Sequence, residues 1–233
     1  MVVRISDRLA SAGQGTTGTI RRAVSQVLEI AANSMIDDEQ ACAVVGALAV
    51  AIERTTGIEP ASRNGRHDAG RHALRRAAAA INVRLGEVPR DARGAAVLPV
   101  GLVGSISHTR DVSVAIAAHG TSARALGIDV ERCSPPRPRI EPRVVTEAER
   151  LQLEGLSDSS RWFSVLAVFC AKEAAYKALD GLVGGAPLTF KSIEVTPASV
   201  DASIVRVVAL RGVTVDVAVA HDSNLMVAIA VVP

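Results

Sequence analysis

A chain of 233 residues, 48% hydrophobic and 21% charged, can form one large globular domain or two small halves with a core each, while a formal charge of +2 gives no bulk electrostatic case for nucleic acid. Three cysteines, Cys42, Cys133 and Cys170, are odd in number and lack C-x-x-C spacing, so neither a disulfide framework nor a zinc site is indicated and a reducing cytoplasm fits best. The opening MVVRISDRLASAG has no signal-peptide hydrophobic segment, and the most apolar stretch, Ala41 to Ile52 between Glu39 and Glu53, is too short to span a bilayer.

Helical periodicity covers Thr19 to Ala32, Glu39 to Arg54 and Arg66 to Arg84, with Gly57 and Pro60 breaking the chain before the third. The Ala41 to Ile52 stretch therefore reads as a buried helix. Gly101 to Ser107 and Val112 to Ala118 read as strands in a hairpin-like pair, and Ala125 to Glu131 as a third strand. RCSPPRPRIEPR follows, a loop because its prolines can propagate neither a helix nor a central strand. Thr146 to Glu154 and Ser159 to Ala178 are helical, and Ser203 to Leu210, Val213 to His221 and Leu225 to Val231 are strands in meander spacing. All five aromatics, Trp162, Phe163, Phe169, Tyr176 and Phe190, lie in one short part of the second half, which leaves the first half no stacking platform for single-stranded nucleic acid. The run from His108 to Ala117 is echoed from His221 to Ala230, each opening with histidine and closing on Val-Ala-Ile-Ala. Either the chain has two similar halves or its alanine and valine content produces the match by chance.

Carboxylates interrupt this apolar pattern at three places. In GIDVE, strand alternation puts Asp129 and Glu131 on one face, where like charges repel. On the long second-half helix, Trp162, Leu166, Phe169, Glu173 and Tyr176 share one stripe, so the Glu173 carboxylate sits where apolar residues belong. Burying it unpaired costs several kcal/mol, roughly, so it needs a partner: a hard divalent ion shared with the other acids, or Lys177 at i+4. A solvent-facing strand edge is the plain alternative for Asp129 and Glu131.

Cations gather around the same helix. Lys172 and Lys177 flank Glu173, a mixture that suits a phosphate bridged by Mg²⁺, although lysines on any helix are commonly just solvated. In SRNGRHDAGRHALRR, His67, Arg71 and Arg75 follow at i+4, with Arg63 and Arg66 at the helix entrance, which gives either an anion-attracting helix start or a solvated face. In GSISHT, adjacent strand residues point oppositely, so Ser107 and His108 are poorly placed to act on each other as nucleophile and base, and a Ser-His hydrolase is disfavoured. They can hold phosphate oxygens instead, and a polar hairpin end would look the same.

GSISHT, GIDVE and FCAKEAAYK, in this order and spacing, resemble the 4′-phosphopantetheinyl transferases of the monomeric two-lobed type, and RNGRHDAGR resembles an Arg-rich element of the siderophore-associated subgroup. The resemblance implies an α+β fold of two pseudo-symmetric lobes, each a small mostly antiparallel sheet packed with helices. The N-terminal lobe (1–120) would carry coenzyme A nucleotide-binding elements, and the C-terminal lobe (121–233) the metal site and carrier contact, with the active site between them. It implies transfer of the phosphopantetheine arm of coenzyme A to a serine of an apo acyl or peptidyl carrier protein, with release of adenosine 3′,5′-bisphosphate. Asp129, Glu131 and Glu173 resemble the Mg²⁺ ligands (Mn²⁺ being an alternative ion), and Glu173 also the group that deprotonates the carrier serine. Lys177 resembles the cation on the pyrophosphate and leaving phosphate, and Lys172 a diphosphate or nucleotide contact. Ser107 and His108 match phosphate contacts, and Arg63, Arg66 and Arg71 the groups around the nucleotide. Members of the subgroup often carry a tryptophan ahead of the serine-histidine motif, where this chain keeps only Pro99.

Two other readings compete with the transferase. A non-catalytic coenzyme A or carrier-binding module of the same fold gives no reason to keep three acids and two lysines. A nucleic-acid contact through Arg132, Arg137, Arg139 and Arg143 lacks aromatics and net charge, and that loop is better matched to the acidic face of a carrier protein. Neither nucleic acid nor membrane is expected as a partner.

Overall fold

The computed structural model describes residues 2–4, 16–33, 40–54, 63–182, 188–197, 204–208 and 213–233. In the first half, β1 (Val2–Arg4) precedes α1 (Thr16–Asn33), the hairpin β2 (Gln40–Val45) and β3 (Leu48–Arg54), α2 (Arg63–Ala80), and a second hairpin of β4 (Leu102–His108) and β5 (Val112–His119). The second half opens with β6 (Ala125–Arg132). A 3₁₀ turn (Pro138–Ile140), α3 (Glu141–Val144), α4 (Glu147–Gln152) and α5 (Asp158–Leu179) follow, then β7 (Glu194–Thr196), β8 (Ile204–Val208), β9 (Thr214–His221) and β10 (Leu225–Val232). The strands form two five-stranded sheets, β1-β2-β3-β5-β4 and β6-β10-β9-β8-β7, antiparallel throughout except for the β1–β2 pair. This is the expected α+β architecture of two sheets packed with helices.

The predicted helix from Glu39 to Arg54 is the β2–β3 hairpin instead. Nearly every side chain of β3 is buried, so the alternation that marks a half-exposed strand is missing, and a short run apolar on both faces reads equally as buried helix. Gly46, at φ +59°, makes the left-handed turn that reverses the chain. The proline-rich segment, expected to be loop throughout, closes with the 3₁₀ turn and α3, which tolerate proline because it falls in their first turns.

The internal echo corresponds to a shared hairpin. Thr109 N donates to Val112 O at 2.7 Å between β4 and β5, and Asp222 N donates to Leu225 O at 3.0 Å between β9 and β10. In each case the Val-Ala-Ile-Ala strand lies inside its sheet, β5 between β3 and β4, and β10 between β6 and β9.

Three cores hold the elements. One lies between α5 and the second sheet, and one between α2 and the first. The third joins the sheets: Ile20, Val24 and Val27 of α1 pack with Ile52 and Ile116 of the first sheet and with Ile128, Val227 and Ile229 of the second. At about 1.5–3 kcal/mol per fully buried aliphatic side chain, this shared core binds the halves far more strongly than their surface ion pairs.

Candidate active site

Among the described residues β4 pairs with β5 alone and β6 with β10 alone, so each is a sheet edge, and the two edges face one another. Edge N–H and C=O groups buried at such a seam require partners. Serines supply them: Ser105 Oγ accepts from Ile128 N at 3.2 Å, and Ser107 Oγ accepts from Val130 N at 3.3 Å while donating to Asp129 Oδ1 at 2.7 Å. From α5, Lys177 Nζ donates to Ile128 O at 2.9 Å and to Asp129 Oδ1 at 2.7 Å. Helix α5 reaches this close because residue 127 is glycine; a Cβ there would sit 1.8 Å from Ala174 O.

Asp129 is 4% exposed, and its Oδ2 is buried without a hydrogen-bond partner among the described residues. Glu131 is partly buried and accepts from Arg137 Nη2 at 2.7 Å. Glu173 is also partly buried, on a flank of α5 shared with Phe169, Tyr176 and Lys177 rather than in the core stripe predicted for it, because α5 buries most of its circumference. The Glu173–Lys177 bridge, the alternative to a shared ion, does not form, because Lys177 pairs with Asp129; among the described residues Glu173 has no hydrogen bond or ion pair. Burial, reinforced by the Asp129 charge and opposed by Lys177, pushes the Glu173 carboxyl above its ordinary range. Burial, with Arg137 opposing and Asp129 adding to it, does the same to Glu131. For Lys177, burial works against the ammonium, yet the Asp129 charge and hydrogen bond and the Glu173 charge outweigh it and hold the pKa above the usual lysine value.

A cavity of about 320 Å³ opens between the halves, lined by Arg71, Ser105 and His108 on one side and by Tyr176, Lys177 and Asp180 on the other. An Arg93–Asp180 ion pair crosses its rim. Arg71 Nε donates to Val88 O at 2.6 Å, and the same side chain borders a more open polar cavity of about 530 Å³ with Arg75 and Arg90. Anionic groups entering the first cavity meet cations on both walls.

The predicted residues thus divide. Asp129, Glu131, Glu173 and Lys177 meet electrostatically at the seam, and Arg71 and His108 line the adjoining cavity. Arg63 and Arg66 lie on α2, but their side chains fall outside the described residues, as does 183–187 of the predicted glycine-rich flap. Lys172 does not face the cavity. It is fully buried within the second half, donating to Glu149 Oε2 at 2.7 Å, Val144 O at 2.8 Å and Phe190 O at 2.9 Å, so no proton is left for a diphosphate. Ser107 is 6% exposed, and its hydroxyl is engaged with Asp129 and Val130. Sequence reasoning missed the Arg137–Glu131 and Arg93–Asp180 pairs, which join positions with no periodic relation.

The donor chemistry suits the hard divalent ion that the resemblance implies: three oxygen-bearing side chains, one with a buried orphan oxygen. Their present arrangement is splayed, with Glu131 drawn to Arg137 and Asp129 Oδ1 taken by Ser107 and Lys177. Among the described residues no three His, Cys, Asp or Glu are spaced to hold a metal ion. No helix among them is long and apolar enough to cross a membrane.

Two family models match the chain. Residues 125–230 match the 4′-phosphopantetheinyl transferase superfamily, and residues 59–118 match the 4′-phosphopantetheinyl transferase N-terminal domain. The 4′-phosphopantetheinyl transferase Npt of Nocardia iowensis is 35% identical over 108 residues, 46% of this chain and 48% of its own length. The 4′-phosphopantetheinyl transferase Svp of Streptomyces mobaraensis is 36% identical over 95 residues, 40% of this chain and 38% of its own. The chain therefore spans about half, or less, of the length of the curated relatives it matches.

Proposed function

We propose, on the matches of residues 125–230 and 59–118 to the 4′-phosphopantetheinyl transferase family models, that the chain transfers the phosphopantetheine arm of coenzyme A to a serine of an apo carrier protein, releasing adenosine 3′,5′-bisphosphate. The observation that carries this reading is the buried, partnerless Asp129 Oδ2 beside Lys177 at the wall of an interlobe cavity bordered by Arg71 and His108. Asp129, Glu131 and Glu173 are the residues that would hold Mg²⁺, or Mn²⁺ in its place. When bound, the ion would neutralise charge on the pyrophosphate.

The chain's own groups do the rest. Lys177 is fixed by two acceptors and presents its remaining proton to a phosphate oxygen. Arg71 and His108 orient the nucleotide end from the opposite wall. Glu173, free of other partners among the described residues and with a raised pKa, accepts the proton of the carrier serine hydroxyl, directly or through water, as that oxygen bonds to phosphorus and the bond to the departing bisphosphate breaks. Both halves contribute groups, so one copy of the chain suffices. We propose an acyl or peptidyl carrier as the acceptor, and the siderophore-associated subgroup for this chain on the resemblance of RNGRHDAGR.

Purified chain, coenzyme A and a panel of apo carriers, followed by intact-protein mass spectrometry, test the proposal. A phosphopantetheine mass gain is expected that needs Mg²⁺ and is lost in Glu173→Ala. Coenzyme A binding with no mass gain on any carrier would instead identify a binding module.

A further inference from the structure

Of the contacts around the acids, the one between Glu131 and Arg137 has no role in the transfer chemistry described above. Strand alternation gives Asp129 and Glu131 a common face, yet Glu131 Oε2 is taken by Arg137 Nη2 at 2.7 Å while Asp129 Oδ2 is left buried and unpaired. The group is one cation short.

We propose that Arg137 is a displaceable internal cation: it holds Glu131 out of the acid group until a divalent ion takes Glu131 over, which couples metal loading to the proline-rich loop. This deepens the transferase reading and rests on it.

Three features distinguish Arg137 from the other cation present. Its side chain is 41% exposed and that of Glu131 22%, so their ion pair is solvent-screened and of low strength. Lys177 is more enclosed, at 25% exposure, and is tied to a main-chain carbonyl as well as to Asp129. Arg137 also has somewhere to go, since its guanidinium already lies 5.9 Å from the centroid of the Trp162 ring and keeps a cation–π partner when Glu131 leaves. The loop is fastened near both ends, by Arg132 to Asp111 and by Glu141 to Arg161, so the exchange is a side-chain movement rather than an unfolding of the segment. Trp162 is the only tryptophan in the chain, which makes its emission a reporter of Arg137.

The test is Mn²⁺ binding to the full chain without coenzyme A, read from the free-ion signal in electron paramagnetic resonance, together with Trp162 fluorescence. Arg137→Gln is expected to tighten binding about three- to tenfold and to remove the fluorescence change that Mn²⁺ produces in the unaltered protein. Arg139→Gln, an exposed charge-matched control on the same loop, is expected to leave binding unchanged. In a Glu131→Gln background, Arg137→Gln should give no gain, because there is no carboxylate left to release. Unchanged or weaker binding in Arg137→Gln would overturn the proposal. So would an equal gain in the Glu131→Gln background, which would mark a general charge effect, and so would absence of Mn²⁺ binding in both proteins. Carrier transfer measured on the same preparations separates the two ideas: transfer with no Mn²⁺ gain sinks the internal cation alone, and an Mn²⁺ gain without transfer sinks the transferase reading alone.

Discussion

Gly127→Ala puts a methyl group where α5 crosses β6. The added Cβ would lie 1.8 Å from Ala174 O, 2.8 Å from Ala174 C and 3.0 Å from Ala178 N, all main-chain atoms of a buried helix. Contacts below 3.0 Å do not persist, so strand and helix must separate by more than an ångström. Overpacking of this kind costs about 1–3 kcal/mol, offset by at most ~1 kcal/mol because alanine restricts the unfolded chain. Backbone atoms cannot swing aside as a side-chain tip can, so the cost should fall in the upper part of that range. For a protein of this size the net loss lowers Tm by roughly 3–10 °C. The same separation breaks the 2.7 Å contact of Lys177 with Asp129, so carrier transfer should fall by at least about tenfold even where the variant is fully folded. Circular dichroism melts and the mass-shift assay at a temperature well below both transitions measure the two effects. A Tm within about 1 °C of the unaltered protein with full transfer would refute the claim that this contact sets the position of α5.

Ser107→Ala leaves the Val130 N–H without its acceptor at the seam and should cost about 1–3 kcal/mol in urea unfolding. Lys172→Met strands the Glu149 carboxylate in the core and should cost about 3–5 kcal/mol; Lys172→Met with Glu149→Gln should recover much of that and bind coenzyme A as the unaltered protein does, whereas a diphosphate role for Lys172 would show as lost affinity in the double variant. Glu173→Gln should abolish transfer yet raise the Tm of the metal-free protein. Because the folded Glu173 carboxyl titrates above its ordinary 4.5, its contribution favours the folded state below that value and is lost as pH rises through the folded pKa, so the gain from glutamine should be present at about pH 8 and vanish near pH 4. A Tm gain independent of pH would contradict this account.

The site was legible where residues broke a pattern. Asp129, Glu131 and Glu173 stand out because apolar neighbours surround them in sequence, and Lys177 follows one turn after Glu173. Lys172 misled for the opposite reason: helical lysines normally face water, but α5 has almost no solvent side, and the acid that neutralises Lys172 reaches it from α4 through a capping box, Thr146 with Glu149, that gives no sign of being buried. In the fold, β4 to β6 and β8 to β10 were visible through alternation and turn residues. The hairpin at Gln40–Arg54 was not, since burial on both faces erases the period, and β1 and β7, three residues each, are too short to show one.

The core that unites α1 with strands from both sheets means that neither half is a free-standing unit. A chain opened at the exposed Gly120–Thr121 turn would yield two fragments, each presenting an uncovered aliphatic surface and an open strand edge. Produced separately they would aggregate, and produced together they would reassemble, with the cavity between Arg71 and His108 on one wall and Lys177 on the other restored only in the reconstituted pair. Such complementation would turn the seam into a reporter of proximity, with the proposed carrier modification as its signal.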